Sequence, residues 1–430
     1  MHATISGKQR CISPPLPPAT RSPRVCWETM QGDLVRLVAS RLLAGDLLDY
    51  VRFRAVCVQW RSETLCPRGR GVVDPRFHPR RWTMFPEGRG LYPGHPGLGD
   101  YVRFFNLDSG VFVRVRLPLF TNHCILDSVY GLLLLQRDED TAVRLLHPFT
   151  GDIVELPRLT TLVSQKPEGG AWPLEIKTMR YISTSASFVA GAVTILITFN
   201  LYFCGAVATS LDTQWTMLSW TCPGSYINGP LPLHGKIYDV PAFFDDTNSA
   251  PRIFEMDVCH YQDPPKLIFT GPIEKPLQAC HLVEYGSEIL VVAHDDDQLS
   301  HMTVYRLADL VLGKFIPMTD IGENAIFMGP RSICVSSRAF PMVKANTIVY
   351  FRPQKHRFAQ YNIGRRTWSL AMDRCSINGR TQGPRSIVCH ILTCCSHQHW
   401  NKGEDYTYTL TGGPSPEWKV KEEFRAGVMA

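Results

Sequence analysis

The chain has 430 residues, of which 44% are apolar and 20% are charged, and its formal net charge is +6. This length exceeds what one ordinary core supports, so we expect two or more domains or one large repeat domain. The apolar share excludes a wholly disordered chain, and the small net charge does not by itself indicate binding to nucleic acid or a membrane. The 32 glycines and 32 prolines favour a turn-rich, mainly β protein.

Residues 1–26 are predicted to be a disordered lead. They contain five prolines and no continuous apolar segment, which argues against a secretory signal peptide and against the amphipathic helix of a transit peptide. The 14 cysteines of the chain are scattered, and no N-x-Ser/Thr glycosylation acceptor occurs. We therefore expect reduced thiols and a location in the cytoplasm and/or the nucleus.

Residues 27–66 form the clearly helical part of the sequence, the helical module. A first helix is indicated by apolar residues at helical spacing, namely Leu34, Leu37, Val38 and Leu42. Gly45 is expected to end it, and Asp46 to cap the N-terminus of a second helix. The apolar positions of that second helix are Leu47, Leu48, Val51 and Ala55, and a third short helix is predicted around Val56, Cys57 and Trp60. A module this small buries little surface alone and needs a partner.

These residues resemble the F-box family. The matching residues, in family order, are Asp33-Leu34-Val35, Val38, Arg41-Leu42, Asp46-Leu47-Leu48, Arg52, Arg54, Val56-Cys57 and Trp60-Arg61. The sequence departs from the pattern at Met30 and Gln31, where the family usually has Leu-Pro. Met for Leu conserves volume, whereas the loss of proline removes a preset entry into the helix and is expected to weaken adaptor binding without abolishing it.

The resemblance implies that the module binds an Skp-type adaptor and so joins a cullin ubiquitin ligase. The implied adaptor-binding residues are Met30, Leu34, Leu37, Val38, Leu42, Leu48, Val51 and Trp60. They would lie in an apolar groove of the partner. An internal, core role is at least equally open for Trp60, Leu42 and Val56, whereas contact is favoured for Leu34 and Met30.

Between residues 70 and 400 the helical signal gives way to short β-rich runs separated by turns. Two hairpin units, 101–118 and 143–157, have their turn glycines 41 positions apart, at Gly110 and Gly151. Weaker echoes follow at 211–215, 304–317 and 358–368. A period of about 40–50 residues predicts a β-propeller of about six to seven blades, with a pair of packed sheets as the alternative.

This stretch also resembles plant F-box proteins whose C-terminal domain is a kelch-like propeller. The motifs that carry the resemblance lie at 74–79, 147–151, 233–238, 321–327 and 345–350. The predicted fold class is therefore mainly β, with an N-terminal three-helix F-box followed by a kelch-like β-propeller over 70–400. Residues 371–430 match poorly, and 401–430 are predicted to be a separate tail.

One uncharged stretch, 182–211, is long enough to resemble a membrane span. It is rich in Thr, Val, Ile and Phe and is interrupted by Gly191, Asn200 and Gly205. Two buried strands around a turn near Phe199 and Asn200 explain this composition better than a membrane helix does.

No motif in the sequence predicts catalysis, a cofactor or a metal site. The nearest metal candidate is the group Cys389, His390, Cys394, Cys395, His397 and His399, which lacks paired C-x-x-C spacing. The acidic runs 245–246 and 295–297 are predicted to be solvated turns because they do not follow the EF-hand pattern. A basic run with interleaved aromatic residues is predicted to be a solvated connector rather than a nucleic-acid site; it contains Arg68, Arg70, Arg76, Phe77, Arg80, Arg81 and Trp82.

The sequence thus predicts a non-catalytic substrate receptor of a cullin-type ubiquitin ligase. Its partners would be the Skp-type adaptor with the cullin scaffold and an unidentified target protein held by the propeller, with no nucleic acid and no membrane. One alternative is a propeller interaction protein with a degenerate F-box that acts outside the ligase. Another is an enzyme or nucleic-acid binder that uses a propeller face.

Overall fold

The chain divides into two units, residues 1–65 and residues 66–430. The computed structural model describes residues 30–84, 101–137, 139–165, 182–189, 191–199, 203–222, 229–241, 250–272, 279–294, 301–329, 331–340, 343–352, 357–371, 391, 406–408 and 418–420. The predicted lead and most of 371–430 lie outside these ranges, so their boundaries stay predictions.

The first unit contains three helices, α1 (Gly32–Gly45), α2 (Leu47–Arg54) and α3 (Val58–Ser62). As predicted, α1 ends at Gly45 and the side chain of Asp46 caps α2. Its Oδ1 accepts hydrogen bonds from the backbone N–H groups of Leu48 at 2.7 Å and Asp49 at 3.1 Å. The three helices agree with the F-box-like start that the sequence implied.

The second unit is built from short strands in six sheets, each formed by consecutive strands of the chain. Blade 1 contains β1 (Trp82–Met84), β2 (Tyr101–Asn106) and β3 (Phe112–Arg116); blade 2 contains β4 (His123–Val129), β5 (Leu132–Arg137), β6 (Ala142–Leu146) and β7 (Ile153–Arg158); blade 3 contains β8 (Ile182–Val189), β9 (Ala192–Phe199), β10 (Cys204–Thr209) and β11 (Thr216–Met217). Blade 4 contains β12 (Leu231–Leu233), β13 (Lys236–Asp239), β14 (Arg252–Asp257) and β15 (Lys266–Thr270); blade 5 contains β16 (Ala279–Tyr285), β17 (Glu288–His294) and β18 (Met302–Arg306), which leads into α4 (Leu307–Val311); blade 6 contains β19 (Asn324–Phe327), β20 (Ile333–Ser336), β21 (Thr347–Arg352), β22 (Arg357–Asn362) and β23 (Thr367–Leu370). Two further short strands, β24 (Tyr406–Tyr408) and β25 (Trp418–Val420), pair with each other.

Neighbouring strands within a blade are antiparallel, except that β19 and β21 of blade 6 run parallel. Tight turns join several of the hairpins. The turn between β4 and β5 is made by Tyr130 and Gly131, both with positive φ, which is the backbone that a two-residue hairpin requires. A Cβ at Gly131 would lie 2.1 Å from the carbonyl oxygen of Pro79, so glycine is also needed there for close approach.

Each blade packs against the next through apolar side chains. The contact between blades 2 and 3 is a large cluster that includes Leu126 and Ile195, and comparable clusters join blades 3 and 4, blades 4 and 5, and blades 5 and 6. Aromatic edge contacts join blades 1 and 2, where Phe149 lies 5.3 Å from Trp82 between ring centroids. The six sheets therefore form a consecutive series of packed faces.

Blade 6 packs back onto blade 1, which closes the series into a ring. Phe105 of β2 and Phe327 of β19 belong to one buried cluster, and Ile391 also lies in it. The backbone N–H of Ser336 donates to the carbonyl of Leu107 at 3.1 Å. Six sheets of three to five described strands that pack in a closed ring form a β-propeller, so the predicted fold is confirmed and the alternative of two packed sheets is excluded.

A buried ion pair joins blade 2 to blade 6. The carboxylate of Asp127 is fully buried and accepts from both terminal nitrogens of Arg331, at 2.8 and 3.1 Å. Arg331 also donates to the carbonyl of Ser128 at 2.9 Å, and the backbone N–H of Thr184 in blade 3 donates to Asp127 at 2.6 Å. One carboxylate thus connects three blades.

The structure corrects two details of the predicted repeat and confirms the rest of its hairpins that can be compared. The run 182–211 forms three strands rather than two, and Phe199 and Cys204, which flank the predicted turn, are antiparallel partners in β9 and β10. The unit at 304–317 is not a simple hairpin, because the short helix α4 follows β18 and the returning chain pairs with it through a single antiparallel bridge, between Val304 and Met318. The hairpins at 101–118, 143–157 and 358–368 are confirmed.

Among the described residues, no helix is long and apolar enough to cross a membrane. The uncharged run that raised this question is blade 3, and its apolar side chains, such as Ile195 and Ile197, lie in the interior of the propeller. Burial between blades therefore accounts for the run.

Asp127→Ala should destabilise the propeller by about 3–5 kcal/mol, because it leaves the guanidinium of Arg331 and the amide of Thr184 without their buried acceptor. Urea unfolding followed by tryptophan fluorescence of the full chain measures this loss. The matched control is Glu155→Ala, which removes an exposed partner 2.9 Å from Arg144 and should cost less than about 1 kcal/mol. Equal losses for the two variants would contradict the role assigned to the buried pair.

Candidate protein-interaction surface

The helical module exposes large apolar side chains. Leu34 and Leu37 of α1 are each 49% exposed, Val38 is 38% exposed and Val51 of α2 is 39% exposed. These four residues are called the exposed apolar face. Apolar side chains stabilise a protein when they are removed from water. In α1 and α2 these four remain in contact with water, which is typical of a surface that binds a partner.

The exposure follows from which residues fill the interior. In α1 the buried positions are Val35 and Ala39, four residues apart and therefore on one side of the helix. In α2 the buried positions include Tyr50 and Phe53. The apolar stripe that the sequence indicated in α1 is therefore not the side that packs inside the module.

The other predicted adaptor-binding residues are less accessible. Met30, Leu42 and Leu48 are half-buried, and Trp60 is buried. The Trp60 ring stacks on Phe53 with centroids 4.2 Å apart. For Trp60 this geometry favours the internal role that the sequence had left open, whereas Val56, which carried the same ambiguity, is 61% exposed.

An exposed ion pair links α1 to the residue that follows α3. Arg36 donates to Asp33 at 2.6 Å and also pairs with Glu63, which follows α3. Hydrogen bonding to Asp33 raises the pKa of Arg36, so this guanidinium stays charged. Such exposed ion pairs add little stability but provide a charged rim to the apolar face.

The start of α1 lacks a side-chain cap. Gln31 occupies the N-cap position with φ −58° and ψ 139°, and its side chain makes no capping hydrogen bond. The start is held instead by Gln59 of α3, whose Nε2 donates to the carbonyl of Met30 at 3.2 Å. Gln59 was missed by the sequence analysis, since a glutamine in a short helix carries no pattern that indicates such a contact.

Motif residues of the propeller serve its construction. The Nε2 of buried His147 hydrogen-bonds the carbonyl of Phe77 at 2.9 Å, and its Nδ1 accepts from the backbone N–H of Thr150 at 3.0 Å. Burial lowers the pKa of His147, so it holds these bonds as a neutral ring. Asp152 accepts from the backbone of Gly69 and Gly71, each at 2.8 Å. The segments 74–79 and 147–151, which looked like family signatures, therefore meet in a structural contact.

The basic run that follows the helical module presents no aromatic platform. Phe77 and Trp82 are buried, so neither ring is available to stack on a base. Arg76 pairs with Asp74 at 2.7 Å, and Arg81 pairs with Asp108. In this run Arg76 and Arg81 have carboxylate partners, whereas among the described residues none contacts the exposed side chains of Arg68, Arg70 and Arg80.

The metal candidates lie outside the described residues, both the Cys/His group at 389–399 and the acidic runs 245–246 and 295–297. In the part of the chain that the structure does describe, no three His, Cys, Asp or Glu side chains are grouped so as to hold a metal ion.

Comparison with known proteins decides the family. A family model described as the KIB1-4 beta-propeller matches residues 104–366, which extend from blade 1 to blade 6. The chain belongs to the KIB1-4 beta-propeller family. The match covers more than half of the chain, and it confirms the resemblance to plant F-box-type proteins with a C-terminal propeller.

Two further similarities are more limited. An F-box/kelch-repeat protein of Arabidopsis thaliana is 28% identical over 169 residues, a match that spans 36% of this chain and 37% of that protein. A crystal structure of regucalcin, a calcium-binding protein from Agrobacterium tumefaciens, aligns with 65% of this chain and 85% of its own at 13% identity and a TM-score of 0.24. So low a TM-score supports no conclusion about this chain.

Trp60→Ala should unfold the helical module in the full chain, because truncating this buried side chain, with its lost burial, its cavity and the lost stacking on Phe53, costs about 3–5 kcal/mol in a unit with little other core. Faster amide hydrogen exchange in α2 measures this. Leu34→Ala is the control, and its exposed position should leave exchange within about 0.5 kcal/mol of wild type. The assignment of core and surface fails if Leu34→Ala deprotects α2 as much as Trp60→Ala does.

Proposed function

We propose that the protein is the substrate-recognition subunit of an SCF-type cullin ubiquitin ligase. The helical module binds an Skp-type adaptor, and the propeller binds a target protein. The observation that carries the proposal is the exposed apolar face, whose four residues all occupy positions that the F-box resemblance assigns to adaptor contact. The family match and the F-box/kelch relative support the same class of protein.

Burial of the exposed apolar face against an adaptor would contribute favourable free energy to binding. Fully burying one such side chain contributes about 1.5–3 kcal/mol relative to leaving it exposed, and each of the four is already about half or more covered. Helices that lay an apolar stripe into a partner's groove are a common mode of recognition. Met30, Leu42 and Leu48 border the face and would be covered with it, whereas Trp60 supports it from inside the module.

The proposed receptor performs no bond chemistry itself. It contributes proximity, because it holds a target near the ubiquitin-carrying enzyme and so raises the effective concentration of one for the other. We expect it to act in the cytoplasm and/or the nucleus, with protein partners only. The nature of the target is not defined by the fold, since one propeller architecture serves many ligands.

A second function rests on Gln31. In this alternative the propeller still binds a protein, but the module no longer engages the adaptor because the proline that starts the family's first helix is absent. The uncapped start of α1 favours this alternative, and the retained apolar face opposes it.

Leu34→Asp should abolish co-purification with a purified Skp-type adaptor. The substitution places an unpaired charge in the apolar groove of the partner. It should leave the module folded, because position 34 is exposed and an acidic residue in the first turn is favoured by the helix dipole.

Leu211→Asp is the matched control, since Leu211 is 81% exposed in the propeller and undergoes the same chemical change. This variant should bind the adaptor as wild type does. If the wild-type chain fails to bind at micromolar adaptor, the ligase proposal is wrong. The alternative with a degenerate module then stands.

Gln31→Pro should strengthen adaptor binding by about two- to fivefold. The φ of −58° at Gln31 already suits proline, and a compatible proline stabilises by about 0.4–1 kcal/mol through the unfolded state. Isothermal titration against the adaptor measures the gain, and Gln31→Ala should give none. Weaker binding by Gln31→Pro would show that the helix start needs the glutamine backbone N–H.

A further inference from the structure

A cavity of about 110 Å³ lies where five of the six blades converge. Its lining comes from the segments at β1, β4, β12, β16 and β20, each the first or an edge strand of its blade. About 10–15 Å³ suffices for one water by the same measure, so the space accommodates several waters or a small polar group. The proposed role in a ubiquitin ligase gives this cavity no function.

Three arginines reach the cavity, and two of them already have a carboxylate. Arg81 donates its Nε to Asp108 at 2.7 Å, and Arg331 holds Asp127 in the pair that connects the blades. Arg80 differs from both, since within the described residues no carboxylate contacts its guanidinium. Arg80 is exposed, so its guanidinium lies at the solvent side of the cavity, and among the described residues it has no carboxylate partner.

Arg80 is oriented although it is unpaired. Its guanidinium lies over the ring of Tyr130, 5.3 Å from the centroid, and the Tyr130 hydroxyl accepts a hydrogen bond from the backbone of Gly235 at 2.7 Å. A guanidinium stacked by its flat face keeps its N–H edge free for a planar acceptor. Tyr130 is also held with a φ of 53°, an uncommon and strained backbone for a bulky residue.

A second donor in the cavity wall lacks an acceptor. The Nε of Arg331 is buried and makes no hydrogen bond in the structure, although the terminal nitrogens of the same side chain are engaged by Asp127. A buried donor on a charged group without an acceptor is costly, so such a group calls for a ligand or bound water. Two guanidinium groups of the cavity, those of Arg80 and Arg331, thus have unused N–H donors.

Glu284 of β16 lines the same cavity and faces these cations. Burial raises its pKa, while Arg81, Arg80 and Arg331 act to lower it and Asp108 to raise it. Tyr130 and Cys334 are the other titratable side chains whose electrostatics involve Glu284. When Glu284 is neutral, the three guanidinium groups face two carboxylates, those of Asp108 and Asp127, and one positive charge remains uncompensated.

We propose that this cavity is a binding site for a single carboxylate, held by Arg80 with help from the free Nε of Arg331. A planar, singly charged acceptor matches the fork of a guanidinium. A phosphate dianion is not planar and would bring a second negative charge beside Glu284, so it fits less well. The carboxylate belongs either to a free organic acid or to an acidic side chain of a bound protein. This site goes beyond the ligase proposal and does not depend on it.

The test is isothermal titration of the full chain, without adaptor, using two probes. One probe is sodium acetate, and the other is a terminally capped octapeptide of Gly and Ser with a single central Glu, paired with its Gln counterpart. Binding that Arg80→Gln weakens about tenfold or more supports the site, because a hydrogen bond to a charged group is lost. Arg306→Gln, which changes an exposed arginine of β18 outside the cavity, should bind as wild type does.

The possible outcomes distinguish a free organic acid from an acidic protein side chain as the source of the carboxylate, and both from failure of the proposal. Preference for acetate assigns the site to a small acid, and preference for the Glu peptide over its Gln counterpart assigns it to a protein ligand. No binding of either probe at about 10 mM, or equal binding by Arg80→Gln with an unchanged unfolding midpoint, overturns the proposal. Tighter Arg80-dependent binding of inorganic phosphate overturns the choice of ligand class. None of these results bears on the adaptor pull-down.

The pH dependence supplies an independent readout. A protonated Glu284 favours a bound anion, and burial raises the pKa of Glu284, so wild-type affinity should rise as pH is lowered across the range in which acetate and the Glu peptide keep their carboxylate. Glu284→Gln mimics the protonated state and should bind with little change over that range. A wild-type affinity that falls as pH is lowered over this range would contradict the charge balance described for the cavity.

Discussion

The propeller depends on closure of the ring between blade 6 and blade 1. Every blade is formed by consecutive strands, so in the described residues no strand is shared between the first and last blades, and side-chain packing must join them. Phe105 and Phe327 supply that packing, with one backbone hydrogen bond between Ser336 and Leu107. The ion pair of Asp127 and Arg331 adds a charged link from blade 2 to blade 6. The cavity and its arginines exist because this closure brings five blades together.

The two units use apolar surface in opposite ways. The propeller buries its apolar side chains between blades, as the fully buried Ile195 and Phe327 illustrate. The helical module fills its small interior with Val35, Phe53 and Trp60 and leaves a second set of apolar residues in water. Because a unit of this size cannot cover both sets, the exposed set is available to a partner.

Local patterns allowed much of the fold to be predicted from the sequence. Glycines at hairpin turns, such as Gly151 with its positive φ, marked the repeat, and Asp46 marked the start of α2. Which side of α1 faces inward could not be predicted, because Leu34 and Val38 form as good an apolar stripe as Val35 and Ala39 do. The cavity was out of reach for another reason. Arg80 and Glu284 are separated by most of the ring, and only closure places them together.

The ion pair between Asp127 and Arg331 also has a consequence for biosynthesis. The two residues are 204 positions apart in the chain. At a translation rate of about 5–20 residues per second, Arg331 is synthesised about 10–40 s after Asp127. During that time the nascent blades keep an open apolar edge at Phe105. Closure of the ring over this long separation therefore leaves the apolar face of blade 1 exposed until blade 6 has been made.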